Sequence, residues 1–171
     1  MKTRGAQVGA SKVEEDRLDL ARRLLDRGGD KLILPQDHVV ARKPEATAES
    51  KVVDENIPDG WYGLDIGPKT VERYTAAIRG AGTVVWNGPL GKFEVEPFRK
   101  GTEAVIRALA ESDAATVVGG GESGEAVEQF DLVEWIDHVS TGGGAFLEYL
   151  ETASLPALEV IDDLNTSEQA H

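Results

Sequence analysis

The sequence predicts an α/β fold, a parallel sheet with helices on both faces. Three observations predict it. From residue 62 onward, short apolar runs alternate with stretches of helical spacing, the pattern of strands joined by helical crossovers. Three of those runs end in glycine-rich turns, at Asn87-Gly-Pro-Leu-Gly91, Gly119-Gly-Gly121 and Gly142-Gly-Gly144. Hydrophobic residues make up 40% of the 171, enough for a core. No apolar run approaches the roughly 20 residues of a membrane span.

The elements follow in order. Ser11 to Gly28 reads as a helix: Ser11 stands three residues before Glu14, a capping-box pattern, and Val13, Leu18, Leu20, Leu24 and Leu25 give an apolar stripe. Gly28 and Gly29 stop it. Leu32 to Leu34, closed by Pro35, and Val39 to Ala41 read as pieces of buried strand. Arg42 to Gly60 is a polar connection with a short strand at Val52–Val53. Strands are then expected at Tyr62–Ile66, Thr83–Trp86, Thr116–Val118 and His138–Ser140. Helices are expected over Thr70–Arg79, Phe98–Leu109, Glu122–Phe130 and Gly144–Leu150. Residues 1–161 form one unit, and 162–171 form a polar tail expected to be disordered.

Composition removes several functions. Lys plus Arg number 18 against 31 Asp plus Glu, a net charge of −13. Such a chain lacks the clustered basic residues for nucleic acid or an anionic membrane. With no cysteine, disulfide scaffolds, thiolate metal sites and cysteine nucleophiles are excluded. The N-terminus does not read as a signal or transit peptide, so a cytoplasmic location is expected.

The glycine turns are the informative feature. In an open parallel sheet, ligands bind beyond the carboxyl ends of the strands, so all three turns should share one edge. A phosphate can approach the main chain closely only where no Cβ intervenes. The second and third turns lead into helices, whose first N–H groups and partial positive charge attract anions. One Gly-Gly-Gly alone is often a tight turn; two at corresponding strand ends, with Asn-Gly-Pro at a third, point to a phosphate ligand. None is a Walker loop or a G-x-G-x-x-G fingerprint. Glu122 stands at a helix start, where it could reach a metal on a polyphosphate or simply favour the helix dipole. His38 and His138 lack ligand-spaced partners, Ser123 and Ser140 lack a nucleophile elbow, and Trp61, Trp86 and Trp135 are assigned to packing or rim.

Several longer motifs resemble one family. Trp86-Asn-Gly-Pro-Leu-Gly-Lys-Phe-Glu94, with Phe98 and Lys100-Gly-Thr102, is similar to the nucleotide motif of phosphoglycerate kinase. Val118-Gly-Gly-Gly-Glu-Ser123 resembles its Gly-Gly-Gly-Asp-Ser/Thr loop, and His138-Val-Ser-Thr-Gly-Gly-Gly-Ala145 its third glycine motif. Gly63-Leu-Asp-Ile-Gly-Pro-Lys-Thr70 and Val13-Glu-Glu-Asp16 match as well. The likeness runs from about Gly5 to about Leu158 and covers only the later part of the C-terminal, nucleotide-binding domain. It implies a Rossmann-like sheet, incomplete relative to the family domain.

The resemblance also implies site roles. Gly63 and Leu64 would help form an adenine pocket, Asn87, Pro89 and Leu90 would line the cleft, and Glu94 would bind the ribose. Gly120, Gly121, Glu122 and Ser123 would surround the phosphates and metal. Gly142, Gly143 and Gly144 would face the phosphoryl group in flight. ATP or ADP with Mg²⁺ is the implied ligand, in a monomeric glycolytic phosphotransferase. Its 3-phosphoglycerate site belongs to an N-terminal domain not represented here. Glu122 departs from the family's Asp, Lys92 from an aliphatic residue and Phe146 from a small one. The alternative is a non-catalytic remnant that binds nucleotide weakly or associates with a partner supplying the missing strands.

Overall fold

The computed structural model describes residues 1–140 and 142–152; the expected tail at 162–171 lies outside the described residues. In chain order the elements are α1 (Leu18–Gly28), β1 (His38–Ala41), β2 (Ser50–Val53), β3 (Tyr62–Ile66), α2 (Pro68–Arg79) and β4 (Thr83–Asn87). There follow α3 (Lys100–Ala110), β5 (Ala115–Gly119), α4 (Gly121–Gln129), β6 (His138–Ser140) and α5 (Gly143–Thr152). Among the described residues no helix is long and apolar enough to cross a membrane.

The second half follows the expected plan. β4, β5 and β6 form a parallel sheet in that order, with Trp86 opposite Val118 and Val118 opposite Val139. Each crossover carries a helix, α3 after β4 and α4 after β5, as parallel neighbours require. Trp86 and Val118 pack with Val105, Ile106 and Leu109 of α3 and Ala126 and Val127 of α4. Ile106 and Val127 are fully buried, and each such side chain stabilises the fold by about 1.5–3 kcal/mol. Tyr74 and Ile78 of α2 complete this core. On the opposite face, Phe146 of α5 stands against Gly119, where a Cβ would meet its ring at 2.6 Å. Farther along that face the sheet is open, and Val85 is 45% exposed.

The first half corrects three expectations. β1, β2 and β3 do not join the parallel sheet; they form an antiparallel one, in the order β2-β1-β3. Eight residues separate β1 from β2, and eight separate β2 from β3. The first of these is too short to return a neighbouring strand in parallel, which takes a dozen residues or more; the second passes β1, so that β3 pairs with its other edge and runs in the direction of β2. Next, Leu32 to Leu34 is not a strand: it makes no ladder among the described residues, and Leu32 and Ile33 are 43% and 36% exposed. Finally, α1 begins at Leu18, and Ser11 does not cap it. The Ser11 hydroxyl instead accepts a 2.9 Å hydrogen bond from the Gly63 amide, fixing β3 to the N-terminal segment. The helix does stop where the glycines predicted, with the Gly29 N–H donating to the Leu25 carbonyl.

Two buried carboxylates join these parts. Asp37, just before β1, accepts from the Lys69 and Thr70 amides at 3.0 and 2.8 Å and from the Thr70 hydroxyl at 2.7 Å. It thereby caps α2 from outside the helix, whose first residue is Pro68. Asp65 of β3 accepts from the Gly101 amide in the first turn of α3 and from the Ile66 amide, both at 2.8 Å. A small second core of Val40, Ile57 and Trp61 lies under the antiparallel sheet. Arg42 and Lys51 stand 5.1 and 4.2 Å from the Trp61 ring centroid, close enough for cation–π attraction.

Candidate functional site

Because β4, β5 and β6 are adjacent and parallel, their three glycine turns emerge at one edge of the sheet. The Gly120 amide donates to the Ser140 carbonyl at 3.0 Å. Gly143 lies so close to Gly120 that a Cβ on it would stand 2.7 Å from the Gly120 Cα. Gly120 itself has φ 96° and ψ 145°, a conformation reserved for glycine. The second and third turns are therefore in direct backbone contact, which side chains would forbid.

The first turn is tied to the others by two side chains. Asn87, the last residue of β4, points its amide at the second and third turns: Nδ2 is 3.3 Å from where a Cβ of Gly119 or Gly120 would stand, and 3.6 Å from that of Gly143. Ser123, buried in the first turn of α4, accepts a 2.7 Å hydrogen bond from the Gly88 amide. The fully buried Thr102 of α3 accepts from the Leu90 and Gly91 amides at 3.1 and 3.2 Å. Thr102 lies in the Lys100-Gly-Thr102 motif, where nothing local in the sequence announces this task.

Two helix N-termini converge on this edge. α4 starts at Gly121 and α5 at Gly143. The first regular helical bonds are those of Gly124 to Gly120 and Phe146 to Gly142, so the amides before them have no intrahelical acceptor. Around Gly121 and Gly144 no heavy atom lies within 4 Å of a would-be Cβ. The edge is thus open and positive in its dipoles. Glu122 is exposed beside it. Among the described residues no three His, Cys, Asp or Glu side chains cluster as a metal cage.

Other expected site residues lie in an adjoining cleft of about 680 Å³. Gly63, Leu64, Pro89 and Leu90 line it, with His38 and Lys92. The Lys92 amide donates to the Leu64 carbonyl at 2.8 Å, joining β3 to the first turn. Glu94 is exposed and is not among the lining residues. The expected residues therefore fall into two groups, a cleft beside β3 and the glycine edge, with the first turn shared between them.

Two titrating groups adjoin the cleft. Burial pushes the Asp65 carboxyl up to about 6, against the opposing pull of the Gly101 and Ile66 amides. Burial also lowers the His38 imidazole, with the Asp37 charge opposing; its Nε2 is buried without a hydrogen-bond partner.

Comparison with known proteins agrees with this architecture. The family described as "Phosphoglycerate kinase" matches residues 1–153. A phosphoglycerate kinase of Anaeromyxobacter dehalogenans is 53% identical over 167 residues, covering 95% of this chain and 42% of the relative. One from Lacticaseibacillus casei is 50% identical over 161 residues, covering 94% and 41%. The solved structure of phosphoglycerate kinase from Coxiella burnetii superposes with a TM-score of 0.87 at 39% identity, covering 92% of this chain and 42% of that one. The chain thus spans about two fifths of the length of the curated relatives it matches.

Proposed function

The chain belongs to the phosphoglycerate kinase family, and we propose that it is the later part of the C-terminal domain, the nucleotide half of a phosphotransferase. The reaction moves a phosphoryl group between ATP and 3-phosphoglycerate, or between 1,3-bisphosphoglycerate and ADP. One observation carries the reading: two helix N-termini and a third glycine turn meet at one open sheet edge. That edge can hold polyphosphate by backbone amides in a chain whose net charge is −13.

In this reading the adenine lies in the cleft against Gly63, Leu64, Pro89 and Leu90, and the ribose reaches Glu94. The phosphates run over Asn87 and the Gly120–Ser123 turn. Gly142, Gly143 and Gly144 face the phosphoryl group as it moves. Ser123 has already used an oxygen lone pair on Gly88, so its hydroxyl proton remains to serve a phosphate oxygen. Phosphoryl transfer is mostly positioning and charge stabilisation, which fixed backbone donors supply without reorganisation.

Glu122, exposed at this edge, fits Mg²⁺ held mainly by phosphates and water, the usual manner for that ion, and would contribute one carboxylate. Bound there, the ion would neutralise charge on the transferring oxygens.

Calorimetry of the purified chain with ADP and Mg²⁺ tests the reading. Binding is expected, and Glu94→Gln should weaken it while the thermal midpoint stays put. Unchanged affinity in that variant would remove Glu94 from the site; no binding by the wild type in the presence of Mg²⁺ would overturn the reading for this chain.

A further inference from the structure

The first glycine turn opens with the only Asn-Gly pair in the sequence, Asn87-Gly88. An asparagine before glycine is the side-chain amide most open to attack by its own main chain, because glycine puts no side chain in the path of the ring that forms. Asn87 is exposed, so water can reach it. Gly88 has φ 89°, and apart from its chain neighbours no heavy atom lies within 4 Å of where its Cβ would stand. Nothing packed on the turn blocks ring closure. Two contacts oppose it instead. The Gly88 N–H, whose nitrogen would be the nucleophile, donates to the buried Ser123 Oγ at 2.7 Å. The Asn87 amide is turned towards the other two glycine turns, with Nδ2 3.3 Å from the Cβ positions of Gly119 and Gly120. The other asparagine among the described residues, Asn56, precedes the β-branched Ile57, which crowds the same path.

We propose that Asn87-Gly88 is a site of spontaneous deamidation, held back by the Ser123 hydroxyl. The reaction takes only water. The Gly88 nitrogen loses its proton and bonds to the Asn87 Cγ; the Cγ–Nδ2 bond breaks, ammonia leaves, and a succinimide ring closes. Water then opens the ring at either carbonyl. One opening gives aspartate, and the other gives isoaspartate, with the main chain rerouted through the side chain. The guard belongs to another element, the first turn of α4, so the nitrogen is released when the first turn lifts from that helix. Either product sets a carboxylate where the three glycine turns meet, and that charge repels a bound polyphosphate. This consequence rests on the nucleotide reading above; the modification itself does not.

The test is a time course of the whole chain in mildly alkaline buffer without nucleotide. It is read by mass spectrometry as the small mass gain of an amide becoming an acid, in the tryptic peptide of residues 80–92. The folded wild type should convert at Asn87, more slowly by about fivefold or more than the same chain in concentrated urea. The peptide of residues 52–69, which carries Asn56, should lag far behind. Ser123→Ala should speed conversion of the folded chain by about fivefold, and Ser123→Thr, which keeps the hydroxyl, should restore the wild-type rate. No conversion in the folded wild type, a folded wild type as fast as the chain in urea, or a folded Ser123→Ala no faster than wild type would each overturn the proposal. A measurement on the wild type covers the case in which Ser123→Ala does not fold. In urea too dilute to unfold the chain, conversion at Asn87 and hydrogen exchange of the Gly88 amide should rise together; conversion that stays level while that amide opens would overturn the proposal. Asn87→Asp, which makes one product directly, should weaken ADP binding by about tenfold or more. Equal affinity would overturn the consequence for nucleotide, and the mass measurement decides the modification whatever that affinity is.

Discussion

The Asp37 carboxylate and the Thr70 hydroxyl are 2.7 Å apart, fully buried, and 33 residues distant in sequence. Thr70 also receives the Gln36 amide at 2.9 Å, while Asp37 takes two amides of α2. The pair locks the start of β1 to the start of α2. Burial alone would raise the Asp37 carboxyl, but the Thr70 hydroxyl, the Lys69 and Thr70 amides and the Lys69 charge outweigh it and hold the group below its usual range.

Asp37→Ala should therefore be among the costly substitutions in the first half. It strands two amides and a hydroxyl in a buried place, a loss of about 2–4 kcal/mol. Because the folded group titrates below its unfolded value of 3.8, its contribution is present above that pH and is lost as pH falls. Urea unfolding at neutral pH and at pH 3 checks both parts: the difference between wild type and variant should shrink in acid.

Asp65 works in the opposite sense. Its folded value is raised to about 6 from 3.8, so the folded state holds a proton that the unfolded chain has released. Stability from this group is full below about pH 4 and declines as pH rises towards 6, by about 3 kcal/mol at about 1.4 kcal/mol per pH unit. Asp65→Asn should remove that slope. Stability measured at pH 4.5 and 6.5 should differ less in the variant than in the wild type.

At the glycine edge, two substitutions separate packing from binding. Gly143→Ala places a Cβ against the Gly120 backbone and should lower the melting temperature by several degrees. Gly121→Ala meets nothing within 4 Å and begins a helix, so its melting temperature should hold or rise slightly. Yet the methyl projects where phosphates are proposed to lie. ADP affinity should fall by about tenfold in Gly121→Ala, read by calorimetry; unchanged affinity would place the phosphates elsewhere.

Ser123→Ala deletes the acceptor of the Gly88 amide. A loss of about 1–2 kcal/mol in stability is expected, together with weaker ADP binding, because the first turn is no longer tied to α4. Restoring the hydroxyl as Ser123→Thr should recover most of both. A stability loss with unaltered affinity would confine Ser123 to the fold.

The chain alone should not form ATP from ADP and 1,3-bisphosphoglycerate. It spans about two fifths of its relatives, and removing even one transition-state donor commonly costs a hundredfold or more. A coupled assay with Mg²⁺ checks this, and turnover proportional to the amount of purified chain would refute it. In a chain completed to family length, Glu122→Gln should raise the Mg²⁺ needed for half-maximal rate, and Glu122→Asp should not.

The second half of this fold was legible because each strand there is a short apolar run, and each crossover is long enough to hold a helix. The glycine edge was legible for the same reason: parallel strands must put their exits on one side. The antiparallel sheet was not legible in the same way, although the eight-residue connection from β1 to β2 carried the information; an apolar run alone does not reveal direction. Ser11 and Leu32–Leu34 misled for physical reasons. A serine three residues ahead of a glutamate looks the same whether its hydroxyl turns to its own helix or to Gly63. An apolar run becomes a strand only where a neighbour offers a ladder. Asp37 and Asp65 gave no local signal, because their partners lie 33 and 36 residues away. What a motif contains is also not all site: Asp65 and Thr70 sit inside the Gly63–Thr70 motif and serve the frame.

The three tryptophans occupy three unlike surroundings, and this gives the molecule a built-in optical readout. Trp61 lies beneath Arg42 and Lys51, Trp86 is 7% exposed and directly precedes Asn87, and Trp135 is 66% exposed. A neutral quencher should reach Trp135 first and leave the other two emitting at shorter wavelength. What remains then reports separately on two places, the antiparallel sheet through Trp61 and the first glycine turn through Trp86. Single replacements by phenylalanine would assign each band, so that opening of either sheet could be followed in real time without attaching a label.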